Sequence, residues 1–249
     1  MPNLSSLAGK TALVTGSARR LGRATVLALA EQGADVVVHY HRSREAAEET
    51  AESVRQSGVR AWTVCADLSD SQQSQALLAR AVERAGPIDF LVNNASIFEP
   101  GRLRTFSADD LARNVQVNAL APLDLARSFA AQDRAGAIVH FLDAKVVTYD
   151  TANVAYHLSK RMLFSLMRMM ALEFAPAVRV NAVAPGAILP PPGKDEAHLR
   201  ALASMNPLNR VGDPEAITDA VLFLLRSEFI TGQVIFVDGG YHLRGRTYG

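Results

Sequence analysis

The sequence predicts an α/β fold, a doubly wound parallel sheet of about seven strands with helices on both faces. Three observations lead there. Short apolar runs alternate along the chain with amphipathic helical patterns, the order expected when strands are covered on both sides. A glycine-bearing turn joins the first apolar run to the first helical one. With 249 residues, 49% of them hydrophobic, the chain suits a single α/β domain around one core.

The first strand, Thr11–Thr15, runs into Gly16-Ser17-Ala18-Arg19-Arg20-Leu21-Gly22 and then a helix, Leu21–Gln32. Glycines serve a geometric purpose here. Without a Cβ the backbone turns tightly and approaches a pyrophosphate, while N–H groups at the helix start point at the anion. The second strand, Asp35–Tyr40, ends in His39-Tyr40-His41-Arg42-Ser43. An NAD site offers an acid there to the ribose 2′-hydroxyl. This pentapeptide has none; an arginine, a hydroxyl and imidazoles suit a 2′-phosphate, which predicts NADPH. His39 and Tyr40 are expected to pack at the strand end. After a helix at Arg44–Ser57 comes the strand Arg60–Cys65, whose lone cysteine is expected to be a buried thiol. Asp67-Leu68 leads to a helix at Ser71–Ala85, which Asp67 is placed to N-cap.

The fourth strand, Phe90–Asn93, closes with Asn93-Asn94-Ala95-Ser96, and the fifth, Ala137–Leu142, delivers Asp143 to the carboxyl edge of the sheet. An aspartate there serves as a turn residue or N-cap, or faces the ligand crevice. A long helix, about Asn153 to Ala175, carries Tyr156 and Lys160 four apart and so on one face. A free phenol has a pKa of about 10; a nearby ammonium is expected to lower it toward useful acid strength. Strands Arg179–Val183 and Gln233–Val237 complete the sheet. Between them, Pro190-Pro191-Pro192-Gly193 and Lys194–His198 read as a loop entering a short lid-like helix.

Tyr156-His-Leu-Ser-Lys160, the glycine turn, Asn93-Asn94-Ala95-Ser96 and Pro185-Gly186, at these intervals, resemble the short-chain dehydrogenase/reductase family from roughly Ala8 to Arg244. That resemblance implies a Rossmann-type fold and proton chemistry by Ser, Tyr and Lys. Here Asp143, thirteen residues ahead of Tyr156, takes the serine's place. Thr15–Gly22, with Arg20 at the middle glycine, His39–Ser43, Ser96, Phe98 and Asp143 are similar to the pteridine reductase branch. The resemblance implies that Gly16, Arg20, Leu21 and Gly22 meet the cofactor phosphates and His41, Arg42 and Ser43 the 2′-phosphate. Asp67 and Leu68 would meet the adenine, and Asn94, Ala95, Ser96, Pro185 and Gly186 the rest of the cofactor. Arg20, Ser96, Phe98, Asp143 and Tyr156 would contact the substrate, with Phe98 sandwiching a flat pterin. Asp143 and Tyr156 would deliver a proton directly or through water, Lys160 would bind the nicotinamide ribose and tune Tyr156, and Asn118 would hold a water near Lys160.

These expectations describe an NADPH-dependent pteridine reductase of folate metabolism, acting on oxidised or dihydro pterins, with dihydrofolate as a further candidate. One alternative is another reductase of the same fold, such as a 3-oxoacyl thioester reductase. An alternative of another class is a non-catalytic NADPH-binding sensor, which would have no need of Asn118, Tyr156 and Lys160 together. A single NADP-binding domain is expected over 1–249, with a substrate loop at about 187–204 and no metal site. The net charge of +1, without a long basic tract, gives no reason to expect nucleic acid or an anionic membrane as partner. The N-terminus Met1–Leu7 lacks the pattern of a secretory signal and no apolar stretch is long enough to cross a bilayer, so a soluble cytoplasmic protein is expected. The long helix carries Leu163, Leu166, Met167, Met170 and Phe174 on one side and Phe164, Met169 and Leu172 elsewhere. An apolar surface nearly all round needs a second partner, and a homotetramer is expected.

Overall fold

The computed structural model describes residues 5–191 and 193–246, so Met1–Leu4, Pro192 of the proline run and residues 247–249 lie outside it. Seven strands form one parallel sheet: β1 (Thr11–Val14), β2 (Asp35–Tyr40), β3 (Ala61–Cys65), β4 (Phe90–Asn93), β5 (Gly136–Phe141), β6 (Val178–Pro185) and β7 (Val234–Val237). Their order is β3-β2-β1-β4-β5-β6-β7. The order reverses between β1 and β4, and the crevice for a ligand opens at the carboxyl ends of those two strands.

Side chains alternate along each strand, so the sheet makes two cores. Leu13, Leu91, Ile138 and Val180 face α3 (Ser71–Ala85), α5 (Ala121–Ala130) and α6 (Val154–Glu173). Val14, Val36, Val92 and Val139 face α1 (Arg20–Glu31), α2 (Arg44–Arg55) and α8 (Pro214–Arg226). Between β4 and α5 the chain forms α4 (Ala108–Val115) behind a Ser107/Asp110 capping box, then a wide π-helical turn over Gln116–Leu120. Pro122 follows at once. It has no N–H to give the carbonyl of Asn118, so the regular ladder cannot continue through that position.

The expected strands are all present, with ends moved by one or two residues. β6 is the main extension, running on to Pro185, which pairs with Val237. The stretch after Pro190 does carry a short helix, α7 (Glu196–Ala201), followed by a 3₁₀ turn at Ala203–Met205. The tail after β7 is another 3₁₀ turn, Tyr241–Arg246, packed on the Ala144–Val147 turn of the same chain. Asp238 holds it: one carboxylate oxygen accepts from both the backbone N–H and Nδ1 of His242, each at 2.8 Å. On α6, Leu163, Met167 and Met170 are buried, whereas Leu158, Met169 and Leu172 stand exposed. No helix among the described residues is long and apolar enough to cross a membrane.

One expectation about the strands fails. Cys65 is exposed. It is the last residue of the edge strand, on the opposite face from buried Val64, and its Sγ donates to the carbonyl of His41 at 3.3 Å. The apolar run around it gave no hint that the strand lies at an edge. Cys65 should therefore titrate as one reactive thiol in native buffer with a disulfide reagent; reaction only after denaturation would contradict the exposure.

Candidate active site

The turn after β1 is pressed against the end of β4. A Cβ on Gly16, whose φ is +62°, would come within 2.9 Å of Ala95 Cα. One on Gly22 would sit 2.4 Å from the carbonyl oxygen of Gly16 and 2.6 Å from the Asn94 amide nitrogen. Only glycine fits either place. Asn94 and Ala95 complete the join: their backbone N–H groups both donate to Thr15 Oγ1 at 3.0 Å, and Asn94 Nδ2 donates to the carbonyls of Thr15 and Gly16.

His39 has a larger role here than strand-end packing. Its buried ring accepts from the Gly16 N–H at Nδ1, 2.9 Å, and reaches the carbonyl of Ala66 with Nε2, 3.1 Å, so the proton sits on Nε2. Gly16 therefore spends its N–H on His39 rather than on an anion. The N–H groups available to phosphates belong to the start of α1, where Arg19 provides no side-chain cap. Nothing in the local pattern distinguishes such a brace from an ordinary core histidine.

Arg20 takes a left-handed backbone conformation, φ +56°, which the glycine usual at that place would adopt freely. Its guanidinium spans the mouth of the crevice and donates to the carbonyl of Pro190 at 2.8 Å. The glycine turn is thereby tied to the loop that follows β6.

A cavity of about 780 Å³ occupies the crevice. Gly16, Arg20, Leu21 and Gly22 line one end of it, with His41, Arg42, Ser43, Asp67 and Leu68 at the other. Asn94, Ala95, Ser96 and Gly186 form its floor, and Ile188 and Leu189 of the loop border it. Asp67 is not the N-cap of α3; Asp70 is, accepting from Gln72 and Gln73. The Asp67 carboxylate instead accepts from Ser69 and lies 3.4 Å from His41 Nε2. Burial pushes its pKa up, but the Ser69 hydrogen bonds with the charges of His41 and Arg42 outweigh that and hold it below the usual range. Ser43 heads α2 without capping it, so its hydroxyl is uncommitted to the helix. The Arg113–Glu99 ion pair, 2.8 Å, also borders the cavity and had no signal in the sequence.

The chemistry-bearing residues lie just beyond. Ser96, Ile97 and Val117 line the cavity on this side, and Phe98 and Asn118 are their chain neighbours; Asp143, Tyr156 and Lys160 stand behind them. Ser96 is the link. Its hydroxyl donates to Asn118 Oδ1 at 3.0 Å, and Asn118 Nδ2 donates to Ser159 Oγ at 3.0 Å. Asn118 is fully buried in the π turn, and its amide also bonds Ile97 and Asn114. Through its side chain it thus fixes the Ser96 strand end to α6.

Asp143 plays two parts at once. It caps the Ala144–Val147 turn, with Oδ1 accepting the Lys145 N–H at 2.7 Å, while Oδ2 accepts the Tyr156 hydroxyl at 3.0 Å. Lys160 lies one turn on, buried, donating to the carbonyl of Phe141 at 2.7 Å. Burial pushes its pKa down to about 8. The expected tuning of Tyr156 is reversed. Burial first, then the Asp143 charge and hydrogen bond, raise the phenol well above its ordinary value, so it stays protonated. Phe98 is no core residue: it is 49% exposed and meets the Tyr156 ring edge-on at 4.7 Å.

The chain matches the family model described as Enoyl-(Acyl carrier protein) reductase over residues 16–242. This protein is a short-chain dehydrogenase/reductase. It is 35% identical to versicolorin reductase 1 of Aspergillus parasiticus, across 94% of this chain and 97% of that one. With mouse (Mus musculus) L-xylulose reductase it shares 36% identity across the same proportions. Among solved structures, FolM alternative dihydrofolate reductase 1 from Brucella canis, complexed with NADP, superposes with a TM-score of 0.90 at 34% identity, covering 98% of both chains. The Brucella suis counterpart, also with NADP, gives 0.92 at 34%, covering 97% of this chain and 98% of that one. The reductase site here fits such a dinucleotide on its own geometry: a cradle that a Cβ would fill, and a cationic end bearing an uncommitted hydroxyl.

Buried His39 also sets a pH limit. Burial lowers its pKa to about 4 from 6.5, with His140 lowered likewise to about 3. The unfolded chain then binds more protons than the folded one below pH 6.5. Stability is complete above that value and falls as pH drops toward 4, by roughly 3 kcal/mol for His39 at about 1.4 kcal/mol per pK unit. Urea unfolding from pH 7 to 4 should show the loss, and His39→Asn should make it shallower, leaving the part due to His140; equal slopes would refute this role.

Proposed function

We propose that this oxidoreductase is an NADPH-dependent pteridine reductase, reducing a C=N bond of an oxidised or dihydro pterin, with dihydrofolate as a further substrate. The observation that carries the reading is the carboxylate of Asp143 hydrogen-bonded to Tyr156 at 3.0 Å. A nitrogen-rich ring can pair its N–H groups with a carboxylate, and a ring nitrogen can take a proton from the phenol; a ketone needs only the hydroxyl. Exposed Phe98 beside Tyr156 offers a flat apolar face to such a ring. The likeness to the two Brucella FolM structures supports the same reading.

NADPH, when bound, supplies the hydride. His41, Arg42 and Ser43 would hold its 2′-phosphate, and Arg20, Leu21 and Gly22 its pyrophosphate. The rest belongs to the chain. Tyr156, kept protonated by burial and by Asp143, gives its proton to the ring nitrogen as the adjacent carbon gains the hydride. Asp143 fixes the phenol and accepts from the ring. The buried ammonium of Lys160 lies 5.8 Å from the Tyr156 ring centroid, where it stabilises the phenolate left behind. Leu158, Met169 and Leu172, exposed on α6, support the further reading of a homotetramer.

The deciding measurement is NADPH oxidation with biopterin, dihydromonapterin, dihydrofolate and an acetoacetyl thioester. Turnover of the pterins is expected; turnover of the thioester alone would overturn the reading, and turnover of none would favour a sensor. KM for NADPH should lie well below that for NADH. Asp143→Asn should lower kcat about 100-fold, within the usual worth of acid–base assistance, and leave NADPH affinity nearly unchanged. An unchanged kcat would remove Asp143 from the mechanism.

A further inference from the structure

We propose that the Lys145–Asp150 ion pair is the positioning device that holds Asp143 against Tyr156. It rests on the reading of Asp143 as the partner of the proton donor, and on no particular substrate.

Asp143 and Tyr156 belong to different elements, the end of β5 and the first turn of α6, joined by a loop of residues 144–153. Their contact depends on how that loop is folded. Both carboxylate oxygens of Asp143 are engaged, one by Tyr156 and one by the backbone N–H of Lys145. The carboxylate therefore follows wherever Lys145 is placed. Lys145 is placed by Asp150: Nζ donates to Asp150 Oδ2 at 2.7 Å.

Asp150 in turn is locked to the start of α6. Its Oδ1 accepts the N–H groups of Ala152 at 2.8 Å and Asn153 at 3.1 Å, and its Oδ2 accepts from Asn153 Nδ2 at 3.2 Å. Asn153 is the N-cap residue of α6, three positions before Tyr156. A second tether fixes the same point. Gly101 accepts the Val154 N–H and donates to the Ala152 carbonyl, both at 2.8 Å.

The contacts close a ring: Asp143, Lys145, Asp150, Asn153, the first turn of α6, Tyr156 and back to Asp143. The Asp150 side chain is 5% exposed, so its charge is withdrawn from water and depends on these partners. Burial pushes its pKa up, but Lys145, Ala152 and Asn153 outweigh that and bring it to about 2, so the pair stays ionised throughout the working pH range. An isolated loop staple would end there. Here the ring has Asp143 and Tyr156 as its remaining members, so a change in the pair is a change in their separation.

The test uses the full chain, NADPH, and whichever of dihydrofolate or the acetoacetyl thioester is turned over. Lys145→Met should lower kcat about 10-fold while KM and Kd for NADPH stay within about twofold, since a misplaced reacting group costs rate rather than cofactor affinity. Lys145→Arg, which keeps the cation, should restore most of the rate. Asp150→Asn should act like Lys145→Met; because it alters a buried carboxylate, its folding is checked by NADPH binding. In the Asp143→Asn background, Lys145→Met should change kcat by less than about twofold, the signature of residues acting as one unit. Undiminished kcat in Lys145→Met, or a loss that simply multiplies with that of Asp143→Asn, would overturn the proposal. Should Asp143→Asn alone leave kcat intact, the role of Asp143 falls first and the positioning falls with it. Turnover of only the thioester would instead sink the pterin reading and leave the positioning test readable.

Discussion

The hydroxyl of Thr15 receives two backbone N–H groups, from Asn94 and Ala95, across the one place where the strand order of the sheet reverses. Everything else at the carboxyl edge is arranged around that join. It brings the ends of β1 and β4 close enough that Gly16 and Gly22 have no room for a side chain. It also presents Ser96 between the cavity and the buried side chain of Asn118. A buried polar network of this kind is stabilising only when every member is satisfied. Here the Asn94 amide and the His39 ring satisfy the carbonyls and N–H groups that the tight turn exposes.

The site combines two regions of opposite character. Around the cavity, cations and helix-start N–H groups are partly wet and suit a multiply charged ligand. Beyond Ser96 the groups behind exposed Phe98 are largely withdrawn from water. Tyr156, Lys160 and Asn118 are all buried, and burial rather than charge pairing dominates the phenol and the ammonium. A low-dielectric surrounding strengthens each contact that is made and penalises each one that is not. It explains why the phenol keeps its proton at Asp143 instead of losing it to the field of Lys160. The ammonium is bound to the Phe141 carbonyl and is itself pushed toward neutrality.

The sheet, its strand order and the residues of the crevice were legible because strand burial, turn glycines and a Tyr-Lys pair at helical spacing are local patterns. The Asp143–Tyr156 contact was legible through the family resemblance, which pairs the position thirteen residues ahead of the tyrosine with it; the residues alone left Asp143 a turn residue, a cap or a crevice residue. What escaped were properties fixed by tertiary neighbours. Cys65 sits in an apolar run, but whether that run is central or at an edge depends on the other strands. The ring of His39 faces a turn 23 residues away, and no local pattern carries that distance. Asp67 and Asp70 are equally good caps by type; only the helix start decides between them. The reversal at Tyr156 has the same origin, because the depth of burial of a phenol is not written in its own helix.

The exposed thiol of Cys65 hangs from the carbonyl of His41, at the cationic end of the cavity. It is the sole cysteine in the sequence. An environment-sensitive fluorophore attached there would sit beside the residues that a phosphorylated ribose would engage, far along the chain from Asp143 and Tyr156. The wild-type protein thus contains its own labelling handle for watching cofactor occupancy independently of turnover.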